Sequence, residues 1–274
     1  MKIIADSSLD INEELEKLDI NFVPFKLSLG DKNYIDDENL DPINFIKEMV
    51  NFDGLPKTAC PSPNDFLDKL EENTQNFIIT ISSKLSGTYN SAKLAKEMFL
   101  ENNKGKVHIF DSKGASVAET LTAYKLKELS ERINSIDELI KKVEEYIDSM
   151  QTYFISENLD NLMKNGRISK FKGTLASLFN IKPIMGANDE GKIVLFKKKR
   201  GIKKAYQTLV QRVSEEAKEK ESKILAISHV NNLKGAKKLK EMIEKEYNFD
   251  KIFIVQTGGL SSLYCDNKGV ILSF

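Results

Sequence analysis

The chain has 274 residues, 41% of them apolar, with 14 Gly and 6 Pro; it can bury a sizeable core, and disorder and collagen-like repetition are excluded. Its 41 basic and 41 acidic residues cancel, which argues against a nucleic-acid binder held by general electrostatics. Two widely separated cysteines and two histidines make neither a disulfide framework nor a paired zinc site, so a reduced, cytoplasmic setting without a metal is expected.

The opening stretch MKIIADSSLD meets an acid at position 6, and nowhere do 18 apolar residues run together, so neither a secretion signal nor a membrane span is expected. Short apolar runs predict strands at 2–5, 22–25, 77–81, 107–110, 152–155, 193–196, 224–227 and 252–255. Several are too continuously apolar to keep one face wet and read as central strands of covered sheets. Helical patterns start near Ile11, Pro42, Asn64, Ser91, Ala115, Asn158, Gly201 and Leu233. Ser135 and Glu138 form a capping pair before the helical stripe Ile136, Leu139, Ile140, Val143, Tyr146, Ile147 and Met150. The alternation predicts an α/β fold, with a seam near residue 150 that divides it into 1–150 and 151–274.

Four strands run straight into small polar residues: Asp6, Ser7 and Ser8; Ser82 and Ser83; Asp111 and Ser112; Ser228 and His229. Ligands of open α/β sheets bind at such strand ends, although any one of these residues could equally serve as a turn former or helix cap. The most informative stretch is Ser82-Ser83-Lys84-Leu85-Ser86-Gly87-Thr88-Tyr89-Asn90-Ser91-Ala92, where hydroxyls, a glycine and a helix start could receive a phosphate or a carboxylate. It matches neither G-x-x-x-x-G-K-[ST] nor G-x-G-x-x-G, so no nucleotide fingerprint is present. Three prolines in Leu55-Pro56-Lys57-Thr58-Ala59-Cys60-Pro61-Ser62-Pro63 predict a stiff, extended loop that holds Thr58. Farther on, Asn165-Gly166 should stop a short helix just before Arg167, and the apolar residues that follow suit a core or a lipophilic pocket. Two local charge asymmetries stand out: Asp31, Asp36, Asp37, Glu38 and Asp41 cluster in 31–41, and residues 191–204 carry bases without an acid.

The serine and glycine stretch, the Thr58 loop, the opening Ala5-Asp6-Ser7-Ser8 and Asn165-Gly166-Arg167-Ile168-Ser169-Lys170, in that arrangement across the whole chain, resemble the DegV family of bacterial fatty-acid-binding proteins. The resemblance implies two α/β domains that hold one long-chain fatty acid between them, carboxylate near the interdomain face and tail in a tunnel of the C-terminal domain. It also implies a non-catalytic, cofactor-free carrier that presents the carboxylate to a separate ATP-binding fatty acid kinase subunit for acyl phosphate formation. Carried over by position, Thr58, Ser83, Ser86, Gly87 and Tyr264 would bind the carboxylate, and Arg167 would support the head-group region. Phe171, Leu175, Leu178, Phe179 and Ile184 are tunnel candidates, and Lys198, Lys199 and Arg200 are a candidate surface for the kinase subunit or for transient contact with an anionic membrane. The chain departs from the family pattern at Ala59 and Cys60, where Ser-Gln is usual, and at Tyr264, which aligns with a histidine. Two alternatives are a small-anion or phosphate sensor and a hydrolase that uses Ser83, Ser86 or Ser91 with His229, the latter without a G-x-S-x-G elbow.

Overall fold

The computed structural model describes residues 1–168, 180–217 and 224–274, apart from the side chain at 102. In chain order the elements are β1 (Lys2–Asp6), a 3-10 turn (Glu16–Leu18), β2 (Ile20–Val23), β3 (Lys26–Leu29), β4 (Lys32–Ile35), α1 (Pro42–Val50), β5 (Lys57–Ala59), α2 (Pro63–Leu67), β6 (Gln75–Thr80), α3 (Thr88–Asn102), β7 (Lys106–Asp111), α4 (Val117–Ser130) and α5 (Ile136–Ser149). They continue with β8 (Thr152–Ile155), α6 (Asp160–Lys164), β9 (Ile181–Ala187), β10 (Ile193–Arg200), α7 (Ile202–Ala217), β11 (Ile224–His229), α8 (Leu233–Glu244), β12 (Lys251–Gln256), α9 (Gly259–Cys265) and β13 (Val270–Ser273).

These strands form three sheets. The first runs β2-β1-β6-β7, all parallel, and its inner strands β1 and β6 are the continuously apolar ones that must be covered on both faces. The second is a small antiparallel sheet in the order β4-β3-β5. The third is mixed, in the order β10-β9-β8-β13-β11-β12. Every strand before residue 150 belongs to the first two sheets and every strand after it to the third, while α4 packs between, against β6 on one side and β11 and β13 on the other. One core therefore runs from Phe77 and Ile79 through Val117 and Leu121 to Ala226 and Phe253.

The α/β alternation is the one expected from the sequence, with specific differences. No α-helix starts near Ile11, because the Asn12 side chain accepts from Leu15 N at 3.2 Å and donates to Ile254 O at 3.0 Å, a local alternative to helix hydrogen bonding. The proline-rich loop contributes a short strand, β5, which pairs Thr58 with Leu27 of β3 between Pro56 and Pro61. Ser62 and Asp65 then close a reciprocal capping box around Pro63 at the start of α2.

Candidate functional site

A cavity of about 810 Å³, its mouth included, opens between the carboxyl ends of the first sheet, the face of β8 and β13, and α9. Its walls are largely apolar, with Phe25, Ile81, Leu85, Phe154, Leu162, Ile193, Leu260 and Ile271 among them. The polar groups on the wall are the hydroxyls of Ser8, Thr58, Ser86, Thr152, Ser261 and Tyr264, together with Arg167, the one cation among the described lining residues.

The chain brings these groups together from distant segments. Thr58, fixed on β5, places its hydroxyl 2.9 Å from the phenol of Tyr264 on α9. The Arg167 guanidinium sits 5.3 Å from the Tyr264 ring centre, donates through Nε to Leu85 O at 3.1 Å and through Nη1 to Asn165 O at 2.9 Å. One planar fork thus ties the end of α6 to the loop before α3. The Ser86 hydroxyl lies 2.8 Å from that of Thr88 and accepts from Thr88 N at 3.3 Å.

Helix α9 faces the cavity with Leu260, Ser261 and Tyr264, yet its first N–H groups are not open to a ligand. Asp10 accepts from Gly258 N at 2.7 Å, and Asp36 accepts from Gly259 N at 2.7 Å and Leu260 N at 2.9 Å. Two carboxylates from the N-terminal part of the chain therefore cap the helix and consume its anion-binding capacity. Gly259 is required sterically, since a Cβ there would stand 2.5 Å from Leu27 and 2.7 Å from the Asp36 carboxylate. The β9–β10 turn closes the far side of the cavity: the Ser82 hydroxyl donates to Gly191 O at 2.8 Å.

The DegV family model, described as "Uncharacterised protein, DegV family", matches residues 1–271. The chain belongs to the DegV family. A DegV domain-containing protein of Streptococcus pneumoniae is 32% identical over 281 residues, covering 100% of this chain and 98% of that protein. A DegV family protein of Ruminococcus gnavus, solved with vaccenic acid, superimposes with a TM-score of 0.93 at 33% identity over 100% of this chain and 99% of the other. The fatty acid kinase B3 protein of Streptococcus pneumoniae, loaded with linoleic acid, does so with a TM-score of 0.89 at 32% identity over 100% and 98% of the two chains. The DegV fold is thus the architecture of this chain.

Of the head-group residues expected from sequence, Thr58, Ser86, Tyr264 and Arg167 line the cavity. Ser83 and Gly87 stand outside its wall. Ser83 N instead donates to Asp111 Oδ1 at 3.1 Å, and Gly87 is exposed, with space for a Cβ at ordinary contact distance from Cys60 Sγ, 3.6 Å. Ile184 points away from the cavity: it is fully buried on the opposite face of the third sheet, among Tyr153, Ile155, Ala205, Leu209 and Val213. The reason is the strand period of two, which puts Ile184 and its neighbour Met185 on opposite faces. Phe171, Leu175, Leu178 and Phe179 lie outside the described residues. Lys198, Lys199 and Arg200 end the edge strand β10, roughly 20 Å along it from the cavity-lining Ile193. His229 ends β11, accepts from Asn232 N at 3.2 Å through Nδ1, is held below its ordinary pKa by burial and, like Ser91, lines no part of the cavity.

Sequence reasoning missed Ser261 and underused Ser8. The signal for Ser8 was present, in the polar residues that end β1; α9 was hidden because Gly258 and Gly259 open a helix of only seven residues.

Proposed function

We propose that this chain binds one long-chain fatty acid, with the carboxylate among Thr58, Ser86, Tyr264 and Arg167 and the acyl chain against Phe154, Leu162, Ile193 and Ile271. The chain divides near residue 150, and the ligand sits between the two units. The observation that carries this reading is an apolar cavity whose wall brings Thr58, Tyr264 and Arg167 into contact, in a fold whose relatives were solved with vaccenic and linoleic acids. Affinity comes from the tail, at about 0.8 kcal/mol per buried methylene before ordering costs. The hydroxyls and the arginine offset the cost of burying the carboxylate.

The chain acts as a carrier and not as a self-sufficient enzyme. Its sequence has no phosphate-cradling fingerprint, so formation of acyl phosphate requires a separate ATP-binding subunit, as the kinase name of the pneumococcal relative suggests. The basic end of β10, with Lys199 and Arg200, is a docking surface for that subunit or for an anionic membrane. Among the described residues no helix is long and apolar enough to cross a membrane. A phosphate sensor is disfavoured because phosphate would leave the apolar walls uncovered.

Native mass spectrometry of the purified protein, followed by denaturation and identification of released small molecules, tests the proposal. One fatty acid per chain is expected. An empty protein that also fails to take up oleate would overturn it.

A further inference from the structure

Behind the Ser8 and Ser261 side of the cavity lie four buried carboxyl groups: Asp6 at the end of β1, Asp10 just after it, Asp36 after β4, and Glu119 in the first turn of α4. None makes an ion pair with a base among the described residues, and no group of three or more acidic, histidine or cysteine side chains is arranged there to hold a metal ion. Three of the four are satisfied as anions by neutral donors. Asp6 accepts from Ile81 N at 2.8 Å and Ser8 N at 3.0 Å. Asp36 accepts from Ser7 Oγ at 3.0 Å besides the α9 N–H groups, and Asp10 accepts from Ser116 Oγ besides Gly258 N.

Glu119 is different. It is fully buried in the first turn of α4, which is tied to the end of β1 by Ser116 N donating to Ser8 Oγ at 3.3 Å, Ser116 Oγ donating to Asp10 and Thr120 Oγ1 donating to Asp10 O at 2.6 Å; its carboxyl acts on that of Asp6, and neither of its oxygens has a hydrogen-bond partner. Two such carboxyls without a cation cannot both be charged, because in a low dielectric their repulsion far exceeds the cost of binding a proton. The groups that act on the pair are Ser8, Asp10 and Asp36; the nearby Cys265 thiol is pushed up by burial and stays neutral. Ser8 connects this pair to the cavity, since it lines the wall and its hydroxyl accepts from Ser116 N, just before the helix that carries Glu119, at 3.3 Å.

We propose that the Asp6–Glu119 carboxyl pair takes up a proton when an anionic ligand enters the cavity, with the Ser8 hydroxyl linking the pair to the cavity wall. This rests on the fatty-acid reading above, because it requires that the ligand carry a carboxylate. The proton comes from solvent and attaches to a carboxylate oxygen of the pair; no other bond forms or breaks. Near neutral pH Asp6 is partly ionised, since burial raises it to about 7, and burial pushes Glu119 well above its ordinary range toward the neutral form. A further negative charge in the cavity disfavours the remaining carboxylates and draws the proton in. Affinity then rises as pH falls, by about tenfold between pH 8 and pH 6 for an average uptake of half a proton.

Calorimetric titration of the wild-type protein with myristate at pH 7, in buffers that differ in ionisation enthalpy, reads the number of protons exchanged. A clear fractional uptake is expected, smaller in Glu119→Gln and in Asp6→Asn. Uptake that is zero in the wild type, or equal in wild type and both variants, would overturn the proposal, the second because the ligand itself would then be the group protonated. Infrared difference spectra of the wild type with carboxyl-13C myristate decide the matter without a variant: a protonated-carboxyl band should grow at the protein's unlabelled position, and its absence overturns the proposal. Failure of the wild type to bind myristate would overturn the fatty-acid reading as well, whereas binding without proton uptake would overturn this inference alone.

Discussion

The hydroxyls of Thr58 and Tyr264 stand 2.9 Å apart although 206 positions separate them in sequence. Either can donate, so they satisfy each other, and both can turn toward the carboxylate we propose between them and Ser86. Tyr264 is a neutral donor, and the positive charge of the site is left to Arg167, which stacks on its ring.

Thr58→Val and Tyr264→Phe should each weaken fatty-acid binding by about ten- to a hundredfold, the value of one hydrogen bond to a charged group, about 1.5–3 kcal/mol. Both substitutions keep volume nearly constant, so the melting temperature should move little. Displacement of a fluorescent fatty acid checks the affinity. A change of less than twofold in both variants would place the carboxylate elsewhere.

Arg167 works through geometry as well as charge. Its Nε–H to Leu85 O and Nη1–H to Asn165 O pin the loop before α3 against the end of α6. Arg167→Lys keeps the charge and loses the fork, so it should bind fatty acid more weakly than wild type and show faster amide exchange over 83–87. Exchange equal to wild type would confine Arg167 to a role in charge.

Gly191 holds the β9–β10 turn in the left-handed region, with φ of 81°, and its carbonyl receives the Ser82 hydroxyl. A Cβ there would stand 2.3 Å from Ser82 Oγ and 2.9 Å from Lys113 Cα. Gly191→Ala should therefore destabilise the protein by about 1–3 kcal/mol and open this side of the cavity, read as a lowered melting temperature and faster exchange in 82–86 and 188–192. Ser82→Ala removes only the hydrogen bond and should cost less.

The buried acids set an unusual pH dependence of stability. Asp6 and Asp10, at 3.8 when unfolded, rise to about 7 in the folded chain, chiefly through burial. Between those values the folded state binds protons that the unfolded state has released, so stability falls as pH rises from about 4 to about 7. Glu48, Asp65, Glu145 and Glu190 shift downward and act in the opposite sense, but only below their ordinary values of 3.8 to 4.5, outside this interval; His108 and His229, lowered from 6.5 by burial, oppose the trend within it but are outnumbered by the buried acids Asp6, Asp10, Asp36 and Glu119. The melting temperature should therefore be higher at pH 5.5 than at pH 7.5 in moderate salt, with a smaller difference in Asp6→Asn. A melting temperature that rises over this interval would contradict the argument.

How much of this was legible in the sequence follows from what periodicity and motifs report. All eight expected strands are present: six of them, β1, β2, β6, β7, β11 and β12, make the parallel pairs that continuous apolar runs mark, and the apolar runs of β8 and β10 fall on antiparallel strands. The strands β3, β4, β5, β9 and β13 were missed because long-range pairing, and not local pattern, makes them strands: β13 lies between β8 and β11, and β3 pairs with β5 some thirty residues away. At the site, Thr58, Ser86, Arg167 and Tyr264 could be carried over by position. The asymmetric acid cluster in 31–41 was also visible, but that Asp36 alone among those acids turns inward to cap α9 was not, since its partners Gly259 and Leu260 come from the other end of the chain.

Ile184 illustrates the remaining gap and gives the last prediction. Its apolar neighbourhood in sequence fits a tunnel wall, but the face of a strand is fixed by register, and β9 pairs so that Ile184 stands opposite Ile155 of β8 and Lys197 of β10. Its side chain packs with Leu209 and Val213 of α7, behind the sheet that bears Phe154 on its cavity side. Ile184→Ala should therefore cost about 2–5 kcal/mol of stability, as for other large buried aliphatics, and leave the fatty-acid affinity of the folded protein unchanged. Phe154→Ala removes contact surface from the cavity wall and should lower affinity as well as stability. Measuring denaturation midpoints and fatty-acid affinities for the two variants side by side separates core from wall; weaker binding by folded Ile184→Ala would mean that the acyl chain reaches through to the α7 side of the sheet.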